Sequence, residues 1–296
     1  MKVLNKQSGI ALVMVLWILL LVTITTGAYT LMARMDNLEA HTILWSTKAR
    51  LAAEAGMHFA VLSLRDPEEE YRWIADGRSY EVLYDGSLLE IQITDERGKV
   101  NINDINEEAL EKLFTTNGLD ANDALLLAAA VLDWRDGDEL VRPNGAEEED
   151  YLAGGYQVGP ANRDFIMVEE LLQVMGLPWE LFEKMQPGLT VWSDQGMPDP
   201  AFAPAEALLA LPEMTQEEAL NFVEERHSQD GSEDQPLTLP SGQVAVARGR
   251  GVTYSIVSKA TLPNGVWDQV ETTVRLGGNE DGLPFRILKW QEGFHH

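Results

Sequence analysis

The chain has 296 residues, 45% apolar and 24% charged, with 48 Asp and Glu against 22 Lys and Arg for a formal net charge of −26. That is globular composition, but such acidity repels nucleic acid and anionic lipid headgroups and suits basic partners or divalent cations. Cysteine is absent, which excludes a disulfide-stapled scaffold.

From Ile10 to Ala33 the residues are uncharged and mostly apolar. At about 1.5 Å per residue, a helix of this length crosses a hydrocarbon core of about 30 Å. A secretory signal would end in a small-residue cleavage site on the export side; here the apolar run continues to the first charge, Arg34, with no such site. Lys2 and Lys6 precede the span, whereas Arg34 is offset by Asp36 and Glu39, so the positive-inside tendency keeps the first nine residues in the cytoplasm and exports the rest.

Beyond the span, Leu38, Thr42, Trp45, Ala49, Ala52, Gly56, Phe59 and Ser63 recur at steps of four and three, a helical stripe. Nothing interrupts it before Asp66-Pro67, so the spacing predicts one helix of more than fifty residues running from the membrane into an aqueous domain. Trp45, Phe59 and Leu62 are expected to contact a sheet, and His41 and His58 lie too far apart on this helix to form a metal pair.

RSYEVLYD and SLLEIQITDE, joined at Asp85-Gly86, predict a hairpin. GVTYSIVSKATL and WDQVETTVRL, joined at Pro263-Asn264-Gly265, predict a second, and PFRILKW a last strand. Between these strand sets the pattern is helical and acidic. NINDINEEALEKLF with LDANDALLLAAAVLDW, MVEELLQVMGLPWELFEKM, and DPAFAPAEALLALPEM with TQEEALNFVEER each suggest paired short helices; in the second, Gly176 ends one helix and Pro178 starts the next. Helix-hairpin-helix and SAM-like modules share this pattern and often bind DNA. Asp120, Asp123, Glu180 and Glu183 at the turns argue against nucleic acid here.

The loop DWRDGDELVRPNGAEEED, Asp133 to Asp150, holds eight carboxylates and two arginines. It follows a helix whose C-terminal end already carries partial negative charge. A divalent cation would relieve that conflict, and calcium suits a flexible, oxygen-rich loop better than magnesium. The spacing is not that of an EF-hand, and a solvated acidic loop is the competing reading. No G-x-S-x-G, H-E-x-x-H or phosphate loop supports catalysis. His295 and His296 end the chain, either native or added.

Lys6-Gln7-Ser8-Gly9 followed directly by the apolar helix resembles a type IV prepilin leader, cut after glycine on the cytoplasmic side. With NINDINEEAL, VLDWRDGDE, GAEEEDYL and ELLQVMGLPWELFEKMQPGLTV, nearly the whole chain is similar to the K-type minor pseudopilins of the type II secretion system. The resemblance implies an α+β, pilin-like fold: a long N-terminal transmembrane helix packed on an antiparallel sheet that a large all-helical insertion domain interrupts. The parts would be a leader (1–9), a transmembrane helix (10–33), a periplasmic helix with the first strands (34–97), the insertion (98–235) and the remaining strands (236–296). It further implies processing at Gly9 and N-methylated Ile10, and an inner-membrane, single-pass chain with its bulk in the periplasm of a Gram-negative bacterium.

Implied partners are the I-type and J-type minor pseudopilins, the major pseudopilin, prepilin peptidase, the inner-membrane secretion platform and secreted substrate. Partner helices would pack along Leu38, Trp45, Ala52 and Phe59. One or two calcium ions would be held by Asp133, Asp136, Asp138, Glu147 and Asp150, with Glu148 and Asn162 beside them. Ordinary pilins place a glutamate at the fifth mature position, where it pairs with a neighbour's N-terminus; here that position is Met14. An unpaired carboxylate inside a membrane is costly, so its loss fits a subunit at the filament tip. The expected role is non-enzymatic, initiating or capping the pseudopilus. The alternatives are a permanently anchored inner-membrane protein with a calcium-dependent protein-binding domain and, further off, an envelope enzyme.

Overall fold

The computed structural model describes residues 10–229, 237–246, 249–278, 282 and 284–293. Gly9 and the rest of the leader, and His295 and His296, lie outside the described residues. The first element, α1 (Ile10–Leu64), is a single helix of 55 residues, long and apolar enough at its N-terminal end to cross a membrane. Three of its hydroxyls there are satisfied within the helix: Thr23 donates to the Leu19 carbonyl at 2.9 Å, Thr25 to Leu21 at 3.0 Å and Thr30 to Thr26 at 2.8 Å. Such back-bonding lets a polar residue sit in hydrocarbon.

Strands β1 (Asp76–Tyr84) and β2 (Ser87–Asp95) form the first hairpin. Asp85 and Gly86 both take positive φ, 48° and 78°, the backbone that a two-residue turn of this hand requires. After β2 the chain enters the insertion: β3 (Val100–Asn101), α2 (Glu107–Thr116), α3 (Ala121–Arg135), α4 (Glu148–Ala153), α5 (Trp179–Met185), β4 (Leu189–Thr190), α6 (Ala205–Leu208), α7 (Gln216–Ser228), and a small ladder of β5 (Leu237–Thr238) and β6 (Val244–Ala245). It then returns as β7 (Thr253–Thr261), β8 (Trp267–Leu276) and β9 (Phe285–Glu292). The main sheet is antiparallel, in the order β1-β2-β7-β8-β9. The insertion therefore interrupts two strands that are neighbours in the sheet.

Alternation decides which face of the sheet meets α1. Leu89, Ile91 and Ile93 of β2 are fully buried, as are Ile256 and Ala260 of β7 and Val274 of β8, while Glu90, Gln92 and Thr94 point the other way. Against the buried face α1 presents Ala49, Ala52, Ala53, Gly56, Met57, Ala60, Val61 and Leu64, mostly small residues that let the helix approach closely. Gly56 shows how closely: a Cβ there would stand 2.1 Å from the Ser258 hydroxyl and 3.3 Å from Ile91.

This packing corrects part of the expected partner stripe. Ala52 lies in the core against the chain's own sheet, and Phe59 is partly buried, edge-on to Tyr84 at 5.5 Å. Leu62, expected in the core, is 70% exposed. Trp45 also stays outside that core, half-buried beneath Lys48, whose Nζ lies 4.8 Å from the ring centre, and Leu38 is exposed. The reason is a change of environment along one stripe: only its C-terminal half reaches the sheet.

The insertion has its own core, with Leu110, Leu113, Phe114, Val131, Tyr151, Met185 and Leu208 among its members. MVEELLQ forms a 3-10 helix, Val168–Gln173, rather than an α-helix, while Gly176 at φ 88° makes the break and Pro178 caps α5 as expected. Leu237, Leu239 and Ala245 pack on the helical core, so the insertion reaches past Gln235 to the β5–β6 ladder. Its neck is polar. Glu96 is buried, paired with Lys99 at 2.7 Å, and accepts from the hydroxyls of Ser255, at 2.6 Å, and Thr190.

Candidate metal centre

Helix α3 carries Asp133 in its last turn and ends at Arg135, with Asp136 as its C-cap. Arg135 fixes this end by donating to the carbonyls of Ile102 and Ile105, the latter at 2.7 Å. The chain then loops out and returns to Glu147, the N-cap of α4, whose amide donates to Asp150 at 3.1 Å. A later segment crosses the same spot: the Asn162 amide donates to the Trp134 carbonyl at 3.0 Å, and Asn162 takes φ 48°. Trp134, Tyr151 and Phe165 form an aromatic wall beneath, with Trp134 stacked on Phe165 at 6.1 Å.

Four of the sequence-predicted residues lie around this end of α3. Asp133 is fully buried, Glu147 is 5% exposed, and Asp136 and Asn162 are half-buried. Each contributes a buried oxygen with no hydrogen bond: Asp133 Oδ1, Asp136 Oδ1, Glu147 Oε1 and Asn162 Oδ1. Buried oxygens normally find a donor; the Asp133 one has the Arg142 guanidinium 3.1 Å away as its countercharge. Two carboxylates here, Glu147 and Asp133, hold protons more tightly than usual. Burial, then repulsion from Asp133, Asp136, Asp138 and Glu139, pushes the Glu147 carboxyl up to about 7. Burial also raises Asp133, with Asp136 adding to it and the amide of Arg142 opposing it.

The other predicted residues play different parts. Asp138 is exposed and accepts from the Leu140 amide at 2.9 Å; Asp150 is exposed and caps α4; Glu148 is exposed on the first turn of α4. Two residues that the sequence reading passed over matter more. The Arg142 guanidinium lies 3.1 Å from Asp133 and 2.8 Å from Asp136, supplying the internal countercharge. Among the described residues no three Asp, Glu or His side chains are arranged to hold an ion together, and Arg142 sits on two of those carboxylates. Gly145 leaves the space that Asp133 fills, since a Cβ there would stand 1.9 Å from Oδ2. One of only two arginines in an acidic run, and a glycine after Pro-Asn, were the available signals.

Residues 89–194 match the family described as type II secretion system (T2SS), protein K. A protein named type II secretion system protein K from Klebsiella pneumoniae is 31% identical over 215 residues, and the chain spans 64% of that relative's length. Over these stretches the chain is similar to type II secretion system protein K. The corresponding protein K of Pectobacterium carotovorum subsp. carotovorum is 26% identical over 251 residues, covering 75% of this chain and 76% of that one. Among solved structures, a chain of the GspK-GspI-GspJ complex from the type 2 secretion system of enterotoxigenic Escherichia coli superposes with TM-score 0.53 at 16% identity, over 88% of this chain and 99% of that one. That likeness is one of fold: a long apolar helix, an antiparallel sheet and further helices.

Proposed function

We propose that this chain is a K-type minor pseudopilin that sits at the tip of a periplasmic pseudopilus. There it initiates or caps assembly with I-type and J-type minor pseudopilins and supports export of folded proteins across the outer membrane. The observation that carries the reading is the junction of a 55-residue helix, apolar at its start, with a sheet whose adjacent strands β2 and β7 are separated in sequence by a domain with its own core. A subunit inside a filament must let the next one pack above its head. The insertion occupies that space, and Met14 removes the carboxylate that would pair with a neighbour's N-terminus.

In this reading prepilin peptidase cuts after Gly9, the apolar half of α1 stays in the inner membrane beside the secretion platform and the major pseudopilin, and the role is non-enzymatic. Leu38 and Trp45, which α1 leaves outside the sheet core, remain available to partner helices. Calcium would be held by Asp133, Asp136, Glu147 and Asn162, where it would supply the positive charge that fixes the acidic loop. Arg142 holds part of that place by pairing with the first two.

The test is to coexpress the full chain with its I-type and J-type counterparts, capture it in detergent, and sequence its N-terminus by mass spectrometry. A ternary complex containing a chain that starts at N-methylated Ile10 is expected. An intact Met1 and a solitary chain would instead favour the permanently anchored protein.

A further inference from the structure

A second polar concentration lies away from the acidic loop, where the end of α1, the start of β1, the neck of the insertion and the end of α7 meet. A cavity of about 440 Å³ opens there, and five arginines line it: Arg72, Arg78, Arg97, Arg226 and Arg250. Among the described residues three carboxylates, Glu69, Asp76 and Asp95, share the lining. In a chain with more than twice as many acidic as basic residues, a local excess of cations runs against the composition.

Three of the arginines are matched. Arg78 makes two bonds to the Asp76 carboxylate, at 3.0 and 2.8 Å; Arg97 pairs with Asp95 at 2.7 Å and Arg72 with Glu69 at 3.0 Å. Arg226 must share Asp76 with Arg78, at 3.5 Å, and its buried Nε makes no hydrogen bond although the residue is only 7% exposed. Its other nitrogens donate to the Pro200 and Asp76 carbonyls, at 2.8 and 3.0 Å. Burial, with repulsion from Arg78, depresses the Arg226 guanidinium to about 10 despite the nearby Asp76 and Asp199. Arg250 donates to the Leu64 carbonyl at 2.8 Å and has no carboxylate partner among the described residues. With one carboxylate shared between Arg78 and Arg226 and Arg250 exposed beside them, an anion arriving here would add countercharge to the cavity.

The remaining lining specifies what carries the anion. Phe202 and Tyr254 are buried, and Trp73 is fixed by stacking on Tyr80 at 4.5 Å, so the walls are apolar and rigid. Concave sites of this size, mostly apolar with a few convergent polar groups, are the usual form of small-ligand pockets. Inorganic phosphate would meet the arginines but leave those walls empty.

We propose that this cavity binds a carboxylate carried on an apolar body, whether a free organic acid or the C-terminus of a peptide. Arg226 and Arg250 receive the carboxylate, and Trp73, Phe202 and Tyr254 receive the body. The guanidinium fork suits the two carboxylate oxygens.

The test uses the full chain in detergent and ligand-observed NMR with N-acetylphenylalanine, its C-terminal amide, inorganic phosphate, and an acetylated tripeptide ending in free phenylalanine. The acid should bind about tenfold or more tightly than the amide, a difference of about 1.4 kcal/mol. Phosphate should compete poorly. Arg250→Gln, with its melting temperature measured alongside because Arg250 also bonds the Leu64 carbonyl, should weaken the acid about tenfold. Arg226→Lys, which keeps the charge but loses the fork, should weaken it as well. The tripeptide binding much more tightly than the acetylated amino acid assigns the ligand to a chain terminus, and equal binding assigns it to a free acid. Equal affinity for acid and amide, phosphate competing as well as the acid, an unchanged Arg250→Gln protein, or no binding at millimolar ligand would each overturn the proposal.

Discussion

In the helix-on-sheet part of the molecule, eight positions of α1 from Ala49 to Leu64 lie against the alternating apolar face of the sheet, and the core they make is layered. In the insertion, short helices, 3-10 turns and two-residue ladders surround a core with no layer at all. The two cores do not merge. Between them runs a polar seam: Asp95 with Arg97, Glu96 with Lys99 and Ser255, Asp76 with Arg78 and Arg226, and Glu169 with Lys289 at 2.7 Å. Charged, hydrogen-bonded seams fix orientation but add little net stability. The contrast therefore separates a layered helix-on-sheet part from an insertion with its own core, held in place by charged pairs.

The largest effect should come from cutting either core. Ile91→Ala removes a fully buried side chain from beneath α1, and Leu113→Ala does the same in the insertion; each should cost about 2–5 kcal/mol. Calorimetry of the full chain should show two transitions, with each substitution lowering a different one. A single transition lowered equally by both would mean that the seam couples the cores into one unit.

Next in size is calcium. At a free concentration a hundredfold above its dissociation constant it should add about 2.7 kcal/mol, confined to the insertion's transition. Replacing Asp133 and Asp136 together with Ala should abolish the melting difference between calcium and chelator. No difference in the unmodified chain would reduce the loop to a solvated acidic surface.

The pH response sharpens the same point. Glu147 has its folded pKa raised from 4.5 to about 7, and Asp133 is raised as well. A folded state that holds a proton more tightly than the unfolded chain is most favoured below the unfolded pKa, so the metal-free insertion should lose stability as pH rises from about 4.5 through 7. Calcium favours the deprotonated carboxylates and should flatten that fall, which chemical denaturation at several pH values would reveal. The smallest effect belongs to the seam: a double-mutant cycle on Glu169→Gln and Lys289→Gln should give a coupling of less than about 1 kcal/mol, since both side chains are partly exposed.

The helix-on-sheet part was largely legible in the sequence because its signals are local. Asp85-Gly86 and Pro263-Asn264-Gly265 mark hairpins, and alternation in SLLEIQITD marks the buried face. What periodicity could not supply was the destination of a stripe: Leu38 and Ala52 share one spacing, but only Ala52 reaches the sheet. In the insertion the helix pairs were visible, whereas their lengths were not, because short helices capped by Pro178 and Pro204 depend on packing rather than propensity. Among the candidate oxygen ligands, Asp133, Asp136, Glu147 and Asn162 could be nominated but not separated from Asp138, Glu148 and Asp150. That separation rests on burial and on Asn162 returning from a later segment to the end of α3. Arg142 and Gly145 acquire meaning only when Asp133 is seen between them.

The central claim is that the insertion makes this chain a terminal subunit. Immunogold labelling of pseudopili, using an antibody against the insertion, tests it most directly. The account predicts label at one end of each filament, unchanged when Met14→Glu restores the carboxylate of shaft subunits, because the insertion still blocks the next subunit. Label distributed along the shaft would contradict it.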